Sequence, residues 1–177
     1  MIQLVFIRHS TALEREDFLK KTKMDDAFRP LTDKGRKRLQ KISSIMKRHW
    51  VPDLDLILSS PYTRARQSAE IISQIYQDQK IIESSELIPQ APPQAFVKWL
   101  KSQNFKGERF AVVGHEPNLS LLVTYLLAGH EYPFLQFKKA GLLSLEIDSL
   151  KSLAPGSARL GWFLYPRMIL GEGKKKW

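Results

Sequence analysis

The apolar pattern of this chain predicts an α/β fold, a three-layer α/β/α sandwich with helices on both sides of a mostly parallel central sheet. Three observations carry that prediction. Short apolar runs at residues 2–7, 54–58 and 110–113 read as strands, and the first lacks the clean alternation of a half-exposed strand, as expected where both faces are covered. Stretches with apolar residues at helical spacing separate them. Each run also ends in groups suited to chemistry: Arg8-His9, Ser59-Ser60-Pro61 with Arg64 one turn onward, and Gly114-His115-Glu116-Pro117.

The elements follow in order. Residues 2–7 form the first strand, and residues 12–30, charged and irregular, read as a long loop. Leu31-Thr32-Asp33-Lys34-Gly35 opens a helix, with Thr32 as N-cap and Asp33 placing a negative charge where the helix dipole favours it. Leu39, Ile42, Ile45, Met46 and Trp50 mark its inner face, and Val51-Pro52-Asp53 closes it. After the strand at 54–58, Ser60 reads as the cap of a second helix with Pro61 at its first position. Ala65, Ala69, Ile72 and Tyr76 line that helix. Residues 80–83 suit an edge strand, and a Pro-rich turn at Pro92 and Pro93 precedes a helix over 95–102. Helix 118–128 and strand 142–147 come next, Gly107 and Gly141 suit turns, and residues 162–165 suit a last strand. A single domain over residues 1–170 with a basic C-terminal tail at 171–177 is expected.

Composition removes several classes of function. The 177 residues are 43% hydrophobic and contain no cysteine, which excludes a disulfide scaffold, thiolate catalysis and cysteine-ligated metal. The four histidines, His9, His49, His115 and His130, show no HExxH or HxH spacing, so no metal site is expected. The longest almost wholly apolar stretch, 119–128, is far short of the roughly 20 residues of a membrane helix. The N-terminus reads as a strand rather than a signal peptide, and a cytoplasmic protein without membrane contact is expected. No GxGxxG or GxxxxGK[ST] segment supports a nucleotide, and no cofactor is expected. The formal charge of +10 favours anionic partners. Nucleic acid is not the expected one, since no recognition motif accompanies the basic residues of the 34–41 face. No feature specifies an oligomeric state.

In folds of this class, sites form at the carboxyl ends of the strands. Two arginines and two histidines gathered there would repel one another unless an anion joined them, and a phosphoryl group matches planar guanidinium donors. The segments Phe6-Ile7-Arg8-His9, Leu31-Thr32-Asp33-Lys34-Gly35, Ser59-Ser60-Pro61-Tyr62-Thr63-Arg64-Ala65-Arg66-Gln67-Ser68-Ala69 and Val113-Gly114-His115-Glu116-Pro117 resemble the histidine phosphatase superfamily, also called phosphoglycerate mutase-like. The small size and the Gly-His-Glu-Pro-Asn stretch are most similar to its SixA-type branch, whose members act on phosphohistidine.

The resemblance implies a phosphoglycerate mutase-like fold and a metal-independent phosphatase that works through a covalent phosphohistidine. His9 would be the nucleophile, its second ring nitrogen donating to a backbone carbonyl. Arg8 and Arg64 would hold phosphoryl oxygens, and His115 would donate to the same group. Ser60 and Ser10 are weaker candidates for substrate contact. Relatives place a glutamate where this chain has Pro89, so Glu86 or Glu116 would have to supply any general acid. A missing acid matters little to a protonated phosphohistidine and much to an alkyl phosphate. The expected substrate is therefore phosphohistidine in proteins, with phosphate or sulfate as simple pocket ligands. The alternatives are a broad phosphomonoesterase for small phosphorylated metabolites and a phosphate-binding domain without turnover.

Overall fold

The computed structural model describes residues 1–171. Its elements run β1 (Ile2–Arg8), α1 (Arg15–Thr22), α2 (Asp33–His49), β2 (Leu56–Ser59), α3 (Thr63–Ile75), β3 (Ile81–Glu83), α4 (Pro93–Ser102), β4 (Arg109–Gly114), α5 (Asn118–Ala128), β5 (Leu142–Ile147), β6 (Arg159–Leu164) and α6 (Pro166–Ile169). Short 3₁₀ turns occupy Asp26–Phe28 and Ser85–Leu87. The tail expected over 171–177 lies outside the described residues from 172 onward.

The six strands form one sheet in the order β3-β2-β4-β1-β5-β6. β3, β2, β4 and β1 are mutually parallel, whereas β5 and β6 complete one edge in antiparallel pairing. The core explains why the strands looked unpatterned in sequence. Leu4 and Phe6 of β1 pack on one side with Phe110 and Val112 of β4, together with Phe96 of α4 and Leu122 of α5. Val5 and Ile7 face the other side with Ala111 and Val113, against Leu39 and Ile42 of α2 and Ala65 and Ile72 of α3. Side chains alternate, but both faces meet a helical layer and both are apolar.

Three local readings change. Residues 12–30 are not one irregular loop: they hold α1 and a 3₁₀ turn. Only Phe18 of α1 is buried and no side chain caps its start, so neither apolar periodicity nor a capping signal marked it. α3 starts at Thr63, two residues beyond Pro61, because Tyr62 remains extended. The Ser60 hydroxyl instead accepts the Tyr62 N–H at 3.3 Å. β6 begins earlier than expected, at Arg159. It is an exposed edge whose register shifts opposite Ser144 and Leu145, which scrambles its alternation.

Other expectations hold in detail. Thr32 Oγ1 accepts the Gly35 N–H at 3.0 Å, as an N-cap should. Gly107 has φ 125°, a conformation that glycine adopts without penalty.

Gly35 matters more than a helix glycine usually does. A Cβ at this position would stand 2.2 Å from the Thr11 carbonyl oxygen. The same oxygen accepts the Thr32 N–H at 2.9 Å. The first turn of α2 thus lies directly on the backbone two residues after His9. Gly35→Ala must push these two segments apart, and urea unfolding should show a loss of about 1–3 kcal/mol. An unchanged midpoint would mean that the 9–11 turn has slack.

Candidate active site

Parallel pairing in the order β2-β4-β1 gathers three carboxyl ends at one rim. Backbone bonds carry the ladder slightly past the strands. The His9 N–H donates to the Gly114 carbonyl at 3.0 Å, and the Ser60 N–H donates to the Val113 carbonyl at 3.0 Å. His9, Ser60 and His115 therefore leave adjacent strands at one level of the sheet.

His9 is 5% exposed, and its Nδ1 lies 2.7 Å from the Ser10 carbonyl oxygen. A carbonyl only accepts, so Nδ1 carries the proton and Nε2 keeps its lone pair. Burial, and then the charges of Arg64, Arg8 and Arg29, push the His9 pKa down to about 3 against the opposing pull of the Ser10 bond. The ring is neutral at neutral pH. Its turn is held from beneath: the Ser10 N–H donates to Ser68 Oγ at 3.2 Å, and Ser68 Oγ donates to the Arg64 carbonyl at 2.7 Å. The Ser10 hydroxyl donates to the Gly35 carbonyl at 2.8 Å. That bond uses its proton to join the 9–11 turn to the start of α2.

Arg64, 4% exposed in the first turn of α3, is oriented by a residue that the sequence did not single out. Its Nη1 donates to the Asp26 carbonyl oxygen at 2.8 Å, and its Nη2 stands 3.0 Å from the Asp26 carboxylate. Arg29 Nε donates to the other carboxylate oxygen at 2.7 Å. Burial alone would raise the Asp26 pKa. The Arg29 hydrogen bond and the charges of Arg64, Arg29 and Arg15 outweigh it and hold the carboxyl below its ordinary value. The Tyr62 ring lies 5.1 Å from the Arg64 guanidinium carbon, at cation–π distance. Arg8 Nη1 donates to the Phe137 carbonyl at 2.6 Å. Burial lowers the pKa of Arg8 and of Arg64, yet both remain cations at neutral pH.

His115 is 1% exposed, with its ring centroid 5.0 Å from that of His9 and 5.2 Å from that of Tyr62. Its Nε2 lies 2.9 Å from Ser60 Oγ, so Ser60 is positioned on His115. Burial first, then His9, Arg64, Arg8 and Arg29, hold the His115 pKa well below the ordinary imidazole range. The structure thus brings Arg8, His9, Arg64 and His115 together. Three buried nitrogens among them, Arg8 Nε, Arg64 Nε and His115 Nδ1, have no hydrogen-bond partner within the protein. Unmet buried donors of this kind are costly, and donors on cationic or neighbouring groups suit an oxyanion.

The two acid candidates separate. Glu116 accepts from Ser120 Oγ at 2.8 and 2.7 Å through its two oxygens. Burial lifts its pKa above the ordinary carboxylate value, outweighing the Ser120 bond and the charge of Arg8. Glu86 bonds within its own turn, its N–H donating to Ser84 Oγ at 3.3 Å. Asp26 and Arg29 went unnoticed in the sequence because they sit in a charged stretch with no motif spacing; Tyr62 lies inside the matching segment 59–69 but carried no role there. Among the described residues, no group of three or more His, Asp or Glu side chains could hold a metal ion. Nor is any described helix long and apolar enough to cross a membrane.

The fold and this cluster define an α/β protein with arginine and histidine side chains gathered and buried at its strand ends. Residues 4–88 match the family model of the histidine phosphatase superfamily, branch 1. An uncharacterised protein from Picosynechococcus sp. is 28% identical over 96% of this chain and 99% of its own length. The protein histidine phosphatase SixA in complex with tungstate superposes with a TM-score of 0.78 at 23% identity, covering 95% of this chain and 99% of that one. A phosphoserine phosphatase from Entamoeba histolytica bound to 3-phosphoglyceric acid gives 0.63 at 19% identity, over 92% and 96% of the two chains. Residues 4–88 are thus similar to the histidine phosphatase superfamily, and the chain as a whole has the phosphoglycerate mutase-like α/β fold of these structures.

The buried imidazoles set a pH dependence of stability. Unfolded histidine takes up a proton near pH 6.5, whereas folded His9 does so only near 3 and His115 is also depressed. The unfolded state therefore binds more protons in acid, so stability is complete above about pH 6.5 and falls as pH drops toward the folded values. Each histidine withdraws about 1.4 kcal/mol per pH unit in that window. Urea unfolding at pH 6.5 and 5.0 should differ by roughly 2 kcal/mol per histidine. Constant stability over this range would mean that the imidazoles are not held neutral.

Proposed function

We propose that this protein is a cytoplasmic, single-domain phosphatase that removes phosphate from phosphohistidine in proteins through a covalent intermediate on His9. One observation carries the reading: a neutral imidazole with a free Nε2 lone pair stands among three buried, unpartnered donors. A phosphoryl group would receive hydrogen bonds from Arg8 Nε, Arg64 Nε and His115 Nδ1 and lie within reach of His9. The similarity to a SixA that binds tungstate, a tetrahedral oxyanion, supports the same placement.

The steps follow from these groups. His9 Nε2 attacks phosphorus as the bond from phosphorus to the substrate nitrogen breaks, and the protonated substrate imidazole leaves neutral. His9 becomes cationic as it is phosphorylated, and the Ser10 carbonyl on Nδ1–H stabilises that charge. Arg8 and Arg64 meet the charge spread over the phosphoryl oxygens. Ser60 donates its hydroxyl proton to His115 Nε2, which keeps the Nδ1–H tautomer as the donor to phosphate. Water then enters opposite His9, releasing inorganic phosphate and restoring the neutral ring.

The competing reading, a phosphomonoesterase for small metabolites, draws support from Glu116. Its raised pKa and nearness to Arg8 suit a group that protonates a departing oxygen. A phosphate-binding domain without turnover is the third possibility. All three separate in one assay of phosphate release from a phosphohistidine protein and from an alkyl phosphate monoester, with a chelator present. Wild type should turn over the phosphoprotein with the higher kcat/KM, and His9→Ala should lose at least about 10³-fold. Turnover surviving in His9→Ala overturns the mechanism, whereas saturable phosphate binding without release identifies the binding domain.

The pH profile tests the acid. Should Glu116 act on esters, their hydrolysis falls as pH rises through its raised pKa, and Glu116→Gln removes that limb. Phosphohistidine turnover should lack the limb in both proteins. The same limb on both substrates would show that the nitrogen leaving group needs this acid too.

A further inference from the structure

A cleft of about 680 Å³ opens beside Arg8 and has Thr11, Arg38, Lys138, Lys139, Tyr165, Pro166 and Arg167 on its walls. Five of these eight residues are cations and none is a carboxylate. They come from four places in the fold: the end of β1, the outer side of α2, the segment before β5 and the start of α6. The Phe137 carbonyl that holds Arg8 immediately precedes Lys138 and Lys139, so cleft and phosphoryl pocket share both a side chain and a backbone segment. Among the described residues Lys138, Lys139 and Arg167 form no ion pair, although the 12–30 region and β3 supply many surface pairs elsewhere. An unpaired run of one sign at the mouth of a pocket is costly to assemble and favours a partner of the opposite sign.

We propose that this cleft docks the protein substrate by carboxylates flanking the phosphohistidine. The proposal rests on the phosphatase reading above and names what the substrate must carry. Two features favour an acidic protein segment over a small polyphosphate. The space is several times that of one phosphate and is open to solvent. Its charges also sit on separate elements, with exposed Lys138 and Arg167 among them. Separated, flexible cations suit several carboxylates spaced along a chain; a compact polyphosphate needs converging donors. Arg8 joins the two sites, so an acidic residue in the cleft would be held while the phosphorylated ring enters the pocket.

The test uses peptides bearing a non-hydrolysable triazole analogue of phosphohistidine, so that binding is read without turnover. One peptide has flanking Asp and Glu, and its partner has Asn and Gln. Calorimetry on the full chain should give the acidic peptide at least tenfold tighter binding, with a steeper salt dependence. Lys138→Gln/Lys139→Gln/Arg167→Gln should abolish that preference while inorganic phosphate binds as before. A control with the same loss of charge, Lys98→Gln/Lys101→Gln/Lys106→Gln around α4 on the opposite layer, should keep the preference.

Equal affinity for the two peptides, or a preference that survives the cleft variant, overturns the proposal. Loss in the control variant as well assigns the effect to net charge and also overturns it. Tripolyphosphate that outcompetes the acidic peptide, and does so only with the cleft intact, assigns the cleft to a small polyanion instead. Phosphate release measured in parallel keeps the two readings apart. Peptide preference without turnover sinks the phosphatase and leaves the docking site, and turnover without preference does the reverse.

Discussion

Like-charge repulsion is the constraint around which this rim is built. Arg8, Arg29 and Arg64 all bear on His9 and His115, and their combined field helps to keep both rings neutral. Without compensation such a cluster would drive the strand ends apart or disorder the side chains. Asp26 supplies part of the compensation, bound by Arg64 on one side and Arg29 on the other. Backbone carbonyls of Phe137, Asp26 and Leu13 take further guanidinium donors at 2.6–2.8 Å. Charge is thus only partly balanced, and Arg8 Nε, Arg64 Nε and His115 Nδ1 are left without a partner within the protein. A phosphoryl dianion completes the balance where a neutral molecule would not, which gives the pocket selectivity before any shape is considered.

The sheet order makes such a cluster possible. β1 lies between β4 and β5, so the Arg8-His9 pair sits beside the Gly114-His115 pair through a parallel register that matches Arg8 to Gly114. β2 pairs with the other side of β4 and delivers Ser59 opposite Val113. Three sequence-distant segments then meet without any long flexible side chain having to search for its position. The remaining cation, Arg64, comes from a helix and needs Asp26 to aim it. Rigid strand ends hold the imidazoles, a backbone carbonyl holds Arg8, and ion pairing with Asp26 holds Arg64 and Arg29. This division suits the proposed chemistry, in which attack by His9 would depend on ring orientation whereas charge stabilisation tolerates more freedom.

Much of this was readable from sequence where backbone geometry and burial act locally. The buried strands, the Thr32 cap and helix Asn118–Ala128 all announce themselves through apolar runs or capping chemistry. So do the four pocket residues, since each follows a strand or opens a helix. What escaped notice depends on tertiary contact. α1 buries only Phe18, so its sequence gave no amphipathic signal. Asp26 is one acidic residue among several in a charged stretch, and only the approach of Arg64, 38 positions away, distinguishes it. The roles of Ser10 and Ser60 turned on which acceptor their hydroxyls meet, the Gly35 carbonyl and the His115 ring, and spacing does not encode that.

The transfer machinery and the rim can therefore change independently. His9, Arg64 and His115 are almost fully buried, and their protonation is governed by burial and mutual charge. Lys138 and Arg167 are exposed, although their neighbours Phe137 and Pro166 are buried. Substitution at such positions alters a screened surface field and leaves the low-dielectric pocket nearly unchanged. Arg8 is the exception, because it belongs to both regions and faces Glu116 as well. An anion drawn toward the cleft would compete with Glu116 for the Arg8 field, leaving the burial-driven rise of the Glu116 pKa less opposed. Such a coupling bears on an oxygen leaving group that needs a proton and not on a protonated phosphohistidine.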